Sequence, residues 1–155
     1  MIMLINMSLE QKIMNDIKHA MLAKDTLKLD VCRSIKSAIL IIKTQKSSVD
    51  LSEEKEIEIL QKLLKQRRES ESIYQDQGRV DLAKNEKSQA DIIATYLPKP
   101  YSMDELLNLV DQLMEETGFN SKQDMGKLIS LVIQKSKGRA DGKMISDCVK
   151  EKIRL

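Results

Sequence analysis

Tryptophan is absent from this 155-residue chain, phenylalanine occurs once, and aromatic residues together make up 3%. An apolar interior must then be assembled from Leu, Ile, Val, Met and Ala, which suits packed helices better than β-sheets. Proline occurs twice and glycine five times, so the chain has few natural breakpoints. The two cysteines, Cys32 and Cys148, form neither a CxxC nor a metal-ligand spacing. Without a secretory signal they read as reduced thiols and place the chain in the cytoplasm. The single histidine, His19, has no acid or cysteine paired with it by spacing, which argues against catalysis there. Neither GxxxxGK[ST] nor GxGxxG occurs. The opening residues 1–6 are apolar but far too few for a signal core or a membrane span. These absences leave no catalytic constellation, and no cofactor, metal or membrane partner is expected.

What the chain does hold is 41% apolar and 32% charged residues, the composition of a soluble helical protein. Its length allows one domain or two small ones with a buried core. Nine methionines are adaptable fillers for that core. The formal net charge is +2, unevenly spread: residues 1–46 sum to +4, 47–101 to −2, 102–121 to −5 and 122–155 to +5. A basic tail therefore follows an acidic helix, an asymmetry modest beside that of dedicated nucleic-acid binders.

Apolar residues recur at helical spacing, and no run alternates with period two long enough for a strand. Ser8 is placed to cap a helix over 9–24, with Leu9, Ile13, Ile17 and Met21 on one stripe. A helix over 25–45 carries Val31, Cys32, Ile35, Ala38, Ile39 and Ile42 on one face. After a turn at 47–49, Asp50 stands three residues before Glu53, a capping-box spacing that opens a long helix ending at Gly78. A fourth helix over 79–95 turns Leu82, Ala83, Ala90 and Ile93 inward. Pro98 and Pro100 then break the chain, making 96–101 the domain boundary. Ser102 and Glu105 form a second capping box, Ser121 caps a sixth helix with Ile133 on its inner face, and Asp141 caps a seventh. The expected fold class is all-α. A helical N-terminal domain covers residues 1–97, with 1–7 mobile, and a small three-helix C-terminal bundle covers 102–155.

One stretch concentrates candidate chemistry: Gly138-Arg139-Ala140-Asp141-Gly142-Lys143. Two glycines permit a tight turn, and Asp141 suits the first free amides of the next helix. Arg139 and Lys143 bracket that helix start, where exposed amides and the dipole favour an anion. With Lys127, Lys135 and Lys137 they make a basic corner able to contact phosphates, giving affinity rather than sequence readout. The plainer alternative is a well-capped connection between two helices. A second basic group, Lys62, Lys65, Arg67 and Arg68, is interspersed with polar residues and reads as a solvated helix face. Glu53, Glu54, Glu56 and Glu58 read as a dipole-favoured, solvated helix start.

Three stretches are similar to a known family. Ala23-Lys24-Asp25 with Arg33-Ser34-Ile35-Lys36-Ser37-Ala38 looks like an N-terminal helix pair. Gly78-Arg79-Val80-Asp81-Leu82-Ala83 with Tyr96-Leu97-Pro98 looks like a middle signature, and Asp124-Met125-Gly126-Lys127 with the stretch from Gly138 to Lys143 like a C-terminal one. Together, over residues 8–154, they resemble the GatB/YqeY family in its stand-alone YqeY-like form. The resemblance implies an all-α fold and a relation to the tail domain of the glutamine-dependent aspartyl/glutamyl-tRNA amidotransferase, which engages the body of the tRNA. It implies tRNA, or the amidotransferase or another protein, as the partner. The carbon–nitrogen ligase chemistry associated with the family belongs to other domains, so a non-catalytic role in tRNA binding or metabolism is expected, with an adaptor docking through the N-terminal helices as the rival. By analogy Lys127, Arg139 and Lys143 are the expected RNA contacts. Gly126, Gly138 and Gly142 are expected to serve close packing and turn geometry.

Overall fold

In the computed structural model, which describes residues 7–45 and 51–154, every regular element is helical and no strand occurs among those residues. The chain parts into two units, Met1–Leu97 and Pro98–Leu155, where two prolines interrupt helix formation. Each unit has its own apolar core.

The first unit contains α1 (Leu9–Ala23), α2 (Thr26–Gln45), α3 (Glu53–Asp76) and α4 (Val80–Ala94). Ser8 caps α1 in a full capping box with Gln11. Lys24 then turns the chain with a left-handed φ of 57°, its N–H bonding back to Ala20 and Met21. Asp25 opens α2 by accepting the Lys28 amide at 3.1 Å. Gly78, at φ 71°, makes the matching turn between α3 and α4, with the Arg79 N–H reaching the Tyr74 carbonyl at 2.8 Å. Ile13, Ile35, Ile39, Leu60 and Ile93 are fully buried between these helices. Each such side chain contributes about 1.5–3 kcal/mol of transfer free energy. Glu56 accepts the Leu9 amide at 3.2 Å and Glu10 pairs with Lys43, so polar contacts also hold α1 to its neighbours.

The second unit contains α5 (Met103–Thr117), a 3-10 turn (Lys122–Asp124), α6 (Met125–Ser136) and α7 (Gly142–Ile153). Leu106, Val110, Leu128, Val132, Ile145 and Val149 form its core. Ser102 and Glu105 build the capping box of α5, and Gly118 ends that helix at φ 76°.

Several expectations need correction. Met21 is 55% exposed, and Ala20 occupies the buried position instead. Each four-residue step overshoots a helix face by about 40°, so the third step from Leu9 has left the core, whereas a step of seven stays within it. Ile133 is 49% exposed, one position past the buried Val132. Ser52 caps α3 by accepting the Lys55 amide at 3.2 Å, a cap the sequence reading did not name. Ser121 opens a 3-10 turn before the sixth helix begins, with Asp124 closing the box. Glu56 is a tertiary acceptor and not only a solvated helix start. Of the residues 1–7 expected to be mobile, 1–6 lie outside the described residues, as do the turn at 47–49 and the Asp50 cap.

Candidate nucleic-acid interface

The basic corner is built on the connection between α6 and α7. Lys137 and Gly138 are both left-handed, at φ 50° and 79°, and the Arg139 N–H returns to the Ser136 carbonyl at 3.0 Å. This is the pattern of a type I′ turn. Glycine enters that conformation freely, whereas a lysine is disfavoured there by about 1 kcal/mol. Beneath the turn the buried Ser136 hydroxyl donates to the Ile133 carbonyl at 3.0 Å, which satisfies that hydroxyl. Asp141 then accepts the Met144 amide at 2.7 Å and starts α7.

Arg139 does not project freely from this turn. Its Nε donates to the Lys99 carbonyl at 2.7 Å, its guanidinium lies 3.9 Å from the centre of the Tyr101 ring, and Glu105 stands 3.9 Å away. Its carbonyl accepts the Tyr101 amide at 2.7 Å. The side chain is thus a strut between the α6–α7 turn and the segment leading into α5. Lys127 lies 6.0 Å from the Phe119 ring centre. Lys135, Lys137 and Lys143 are exposed and form no ion pair among the described residues. The five basic candidates therefore separate into one structural arginine, one lysine beside a ring, and three unpaired lysines around the turn.

The glycines differ among themselves. Gly138 is required by its positive φ. Gly126 and Gly142 sit in the first turns of α6 and α7, and a Cβ on either would meet no atom within 4 Å. Close packing, expected of them from the sequence, is not their role inside this chain. The charge asymmetry is also partly internal: Arg139 faces Glu105, and Lys152 pairs with Asp111 at 2.9 Å, both linking the basic tail to the acidic helix.

Elsewhere, three of the four residues in the basic group of α3 enter ion pairs: Lys65 with Glu69, Arg67 with Glu86, and Arg68 with Glu71 and Asp91. Burial raises the thiol pKa of both Cys32 and Cys148, which disfavours the reactive thiolate. Among the described residues no group of three or more His, Cys, Asp or Glu is arranged to hold a metal ion, and no helix is long and apolar enough to cross a membrane. Sequence reasoning missed Tyr101 and Lys99 as the partners of Arg139, and the hydrogen bond from Tyr96 to Asp16. Those contacts join residues 38 to 80 positions apart, beyond the reach of local spacing.

A family model described as Yqey-like protein matches residues 10–153. The chain belongs to the YqeY-like family. Its curated relatives include two yeast proteins, both named "Altered inheritance of mitochondria protein 41, mitochondrial". The one from Vanderwaltozyma polyspora is 38% identical over 82 residues, covering 53% of this chain and 44% of the relative. The one from Lachancea thermotolerans is 29% identical over 136 residues, covering 84% of this chain and 73% of the relative. The chain thus spans less than half the length of the first and about three quarters of the second. The cytoplasmic placement drawn from the reduced cysteines is corrected by this finding: both relatives are named as mitochondrial proteins. Buried, unpaired thiols are equally suited to any reducing compartment, so they could not have singled out the cytoplasm.

Proposed function

We propose that this YqeY-like chain is a non-catalytic tRNA-binding or tRNA-metabolism accessory protein, related to the tail domain of the amidotransferase. In this proposal a helical N-terminal domain acts as scaffold and a small three-helix C-terminal bundle presents the α6–α7 turn to RNA phosphates. One observation carries it: three exposed lysines without ion-pair partners among the described residues, Lys135, Lys137 and Lys143, gather around a turn that opens a capped helix. Lys137 adds weight because it occupies a left-handed position where glycine is the lower-energy choice. Gly126 and Gly142, with open space where a side chain would stand, leave room for a sugar-phosphate backbone to approach. The compartment carried over from the relatives' names is the mitochondrion.

The test is a tRNA-binding titration of nuclease-treated protein across a salt series. Contacts by Lys127 and these three lysines correspond to a log–log slope of about −3 to −4. A Lys135→Ala/Lys137→Ala/Lys143→Ala variant should lose most of that slope while remaining folded. No binding at micromolar protein, or binding indifferent to salt, rejects the proposal.

A second role, as an adaptor for another protein, draws on exposed apolar residues of α1 and α2. Leu22 is 83% exposed and Ile41 56%, with Met14, Met21 and Leu40 near half. It requires a partner protein that stays bound after nuclease treatment and is released when Leu22 and Ile41 become polar.

A further inference from the structure

Helix α1 carries chemistry that the C-terminal corner does not use. Lys12, Asn15, Asp16 and His19 stand at positions i, i+3, i+4 and i+7, on one face of the helix. That face lines an open depression of about 470 Å³, together with Lys28 from the first turn of α2 and Tyr96 just after α4. The volume falls within the range of small-molecule sites, roughly 300–1,000 Å³. All six residues belong to the first unit.

The lining is unbalanced in charge. Asp16 is its single acid, and the Tyr96 hydroxyl donates to that carboxylate. Cys32 Sγ, 3.4 Å from the same hydroxyl, closes the contact from α2. Burial first, then the bond to Asp16, drives the Tyr96 pKa well above the ordinary phenol value, so the ring stays a neutral donor. Asp25, three residues before Lys28, is committed to the Lys28 amide. Lys12 and Lys28 form no ion pair among the described residues, and the side chains of Asn15 and His19 form no hydrogen bond there. Two ammonium groups, an amide and an imidazole therefore share one space with one engaged acid.

A phosphate ester fits this donor set, because its several oxygens can accept from all four groups at once. We propose that the depression binds a phosphate ester through Lys12, Asn15, His19 and Lys28, with Asp16 held aside by Tyr96. The site is separate from the α6–α7 turn and stands or falls independently of it. The phosphoryl group belongs either to a free mononucleotide-sized molecule or to an RNA backbone.

His19 is the chain's one histidine, so its imidazole Cε1–H signal in proton NMR is assigned without ambiguity. The full chain is titrated at constant ionic strength with inorganic phosphate, adenosine 5′-monophosphate and a short oligoribonucleotide. A saturable shift of that signal is expected with at least one of them. Saturation at lower mononucleotide than oligonucleotide concentration assigns a free ester, and the reverse order assigns RNA; both support the site. Lys12→Ala and Lys28→Ala should each weaken binding about tenfold, whereas Lys143→Ala should leave it unchanged. The proposal is overturned by the lack of any saturable shift, by an equal shift with sodium chloride alone, or by a shift that survives in the Lys12→Ala/Lys28→Ala variant.

Discussion

Replacing Arg139 by alanine separates a structural arginine from an RNA-contacting one. The change removes a charge-assisted hydrogen bond to the Lys99 carbonyl at 2.7 Å, a class of bond that contributes about 1.5–3 kcal/mol. It also removes the guanidinium from the Tyr101 ring, 3.9 Å away, which adds about 0.5–1 kcal/mol at an exposed site. The Glu105 contact, at 3.9 Å with both side chains at least one-third exposed, adds little. The Arg139 side chain remains 35% exposed, so water can partly replace it at the carbonyl and the lower end applies. The expected cost is about 2 kcal/mol, confined to the second unit. Native-state amide exchange reads that unit separately: protection at Val132 and Val149, both in its core, should fall about thirtyfold. Protection at Ile35 and Ile93, in the core of the first unit, should not change. Arg139→Lys should recover less than half, since an ammonium cannot reproduce the planar stack and directed Nε bond. A loss of less than about threefold at Val132 and Val149 would refute the strut, leaving Arg139 available to a phosphate after all.

Lys137→Gly should stabilise the protein by about 0.5–1 kcal/mol in denaturant titration, by relieving a left-handed lysine at φ 50°; a neutral or destabilising result removes the strain from consideration. The same variant should weaken RNA binding if Lys137 contacts phosphate, so stability and binding should move in opposite directions. Asp141→Ala should cost about 1 kcal/mol by stripping the cap from the Met144 amide, and Asp141→Asn, which keeps an acceptor, should recover most of it. Asp124 has a pKa below the ordinary 3.8, chiefly through the Ser121 hydroxyl, with the Ser121 and Asn120 amides assisting. Because the folded value is depressed, its stabilisation of the 3-10 turn before α6 is complete above the unfolded value and fades as pH falls through the folded one. An NMR titration should place the Asp124 midpoint below that of an unstructured aspartate; a midpoint at or above it contradicts the cap.

Much of the fold was legible because it rests on local rules. The Ser8 cap, the Ser102 box, the glycine stop at Gly78 and the proline break after Leu97 each depend on residues within a few positions of one another. Misplacements arose where two local rules compete. Ser52 caps α3 although no capping-box partner marks it, since Lys55 and not Glu or Gln stands three positions on. The stripe ending at Met21 followed a period of four where the helix turns every 3.6 residues. The candidate corner was legible as composition but not as geometry. Arg139 and Lys143 look alike in sequence, yet a ring and a carbonyl some forty residues upstream engage only Arg139. The grouping of Lys12, Asn15, Asp16 and His19 with Lys28 and Tyr96 was not read from the sequence, because it draws on three elements of the folded unit.

The Arg139 strut also bears on how this stretch of chain could be inherited. Its partners Lys99, Tyr101 and Glu105 all lie after Leu97, as do the residues of the second core. A gene junction falling between Leu97 and Pro98 severs none of those bonds. A 98–155 segment carried to a new host would keep its entry fastened to its own α6–α7 turn. In that transfer the arginine would be the latch that holds the entry in place.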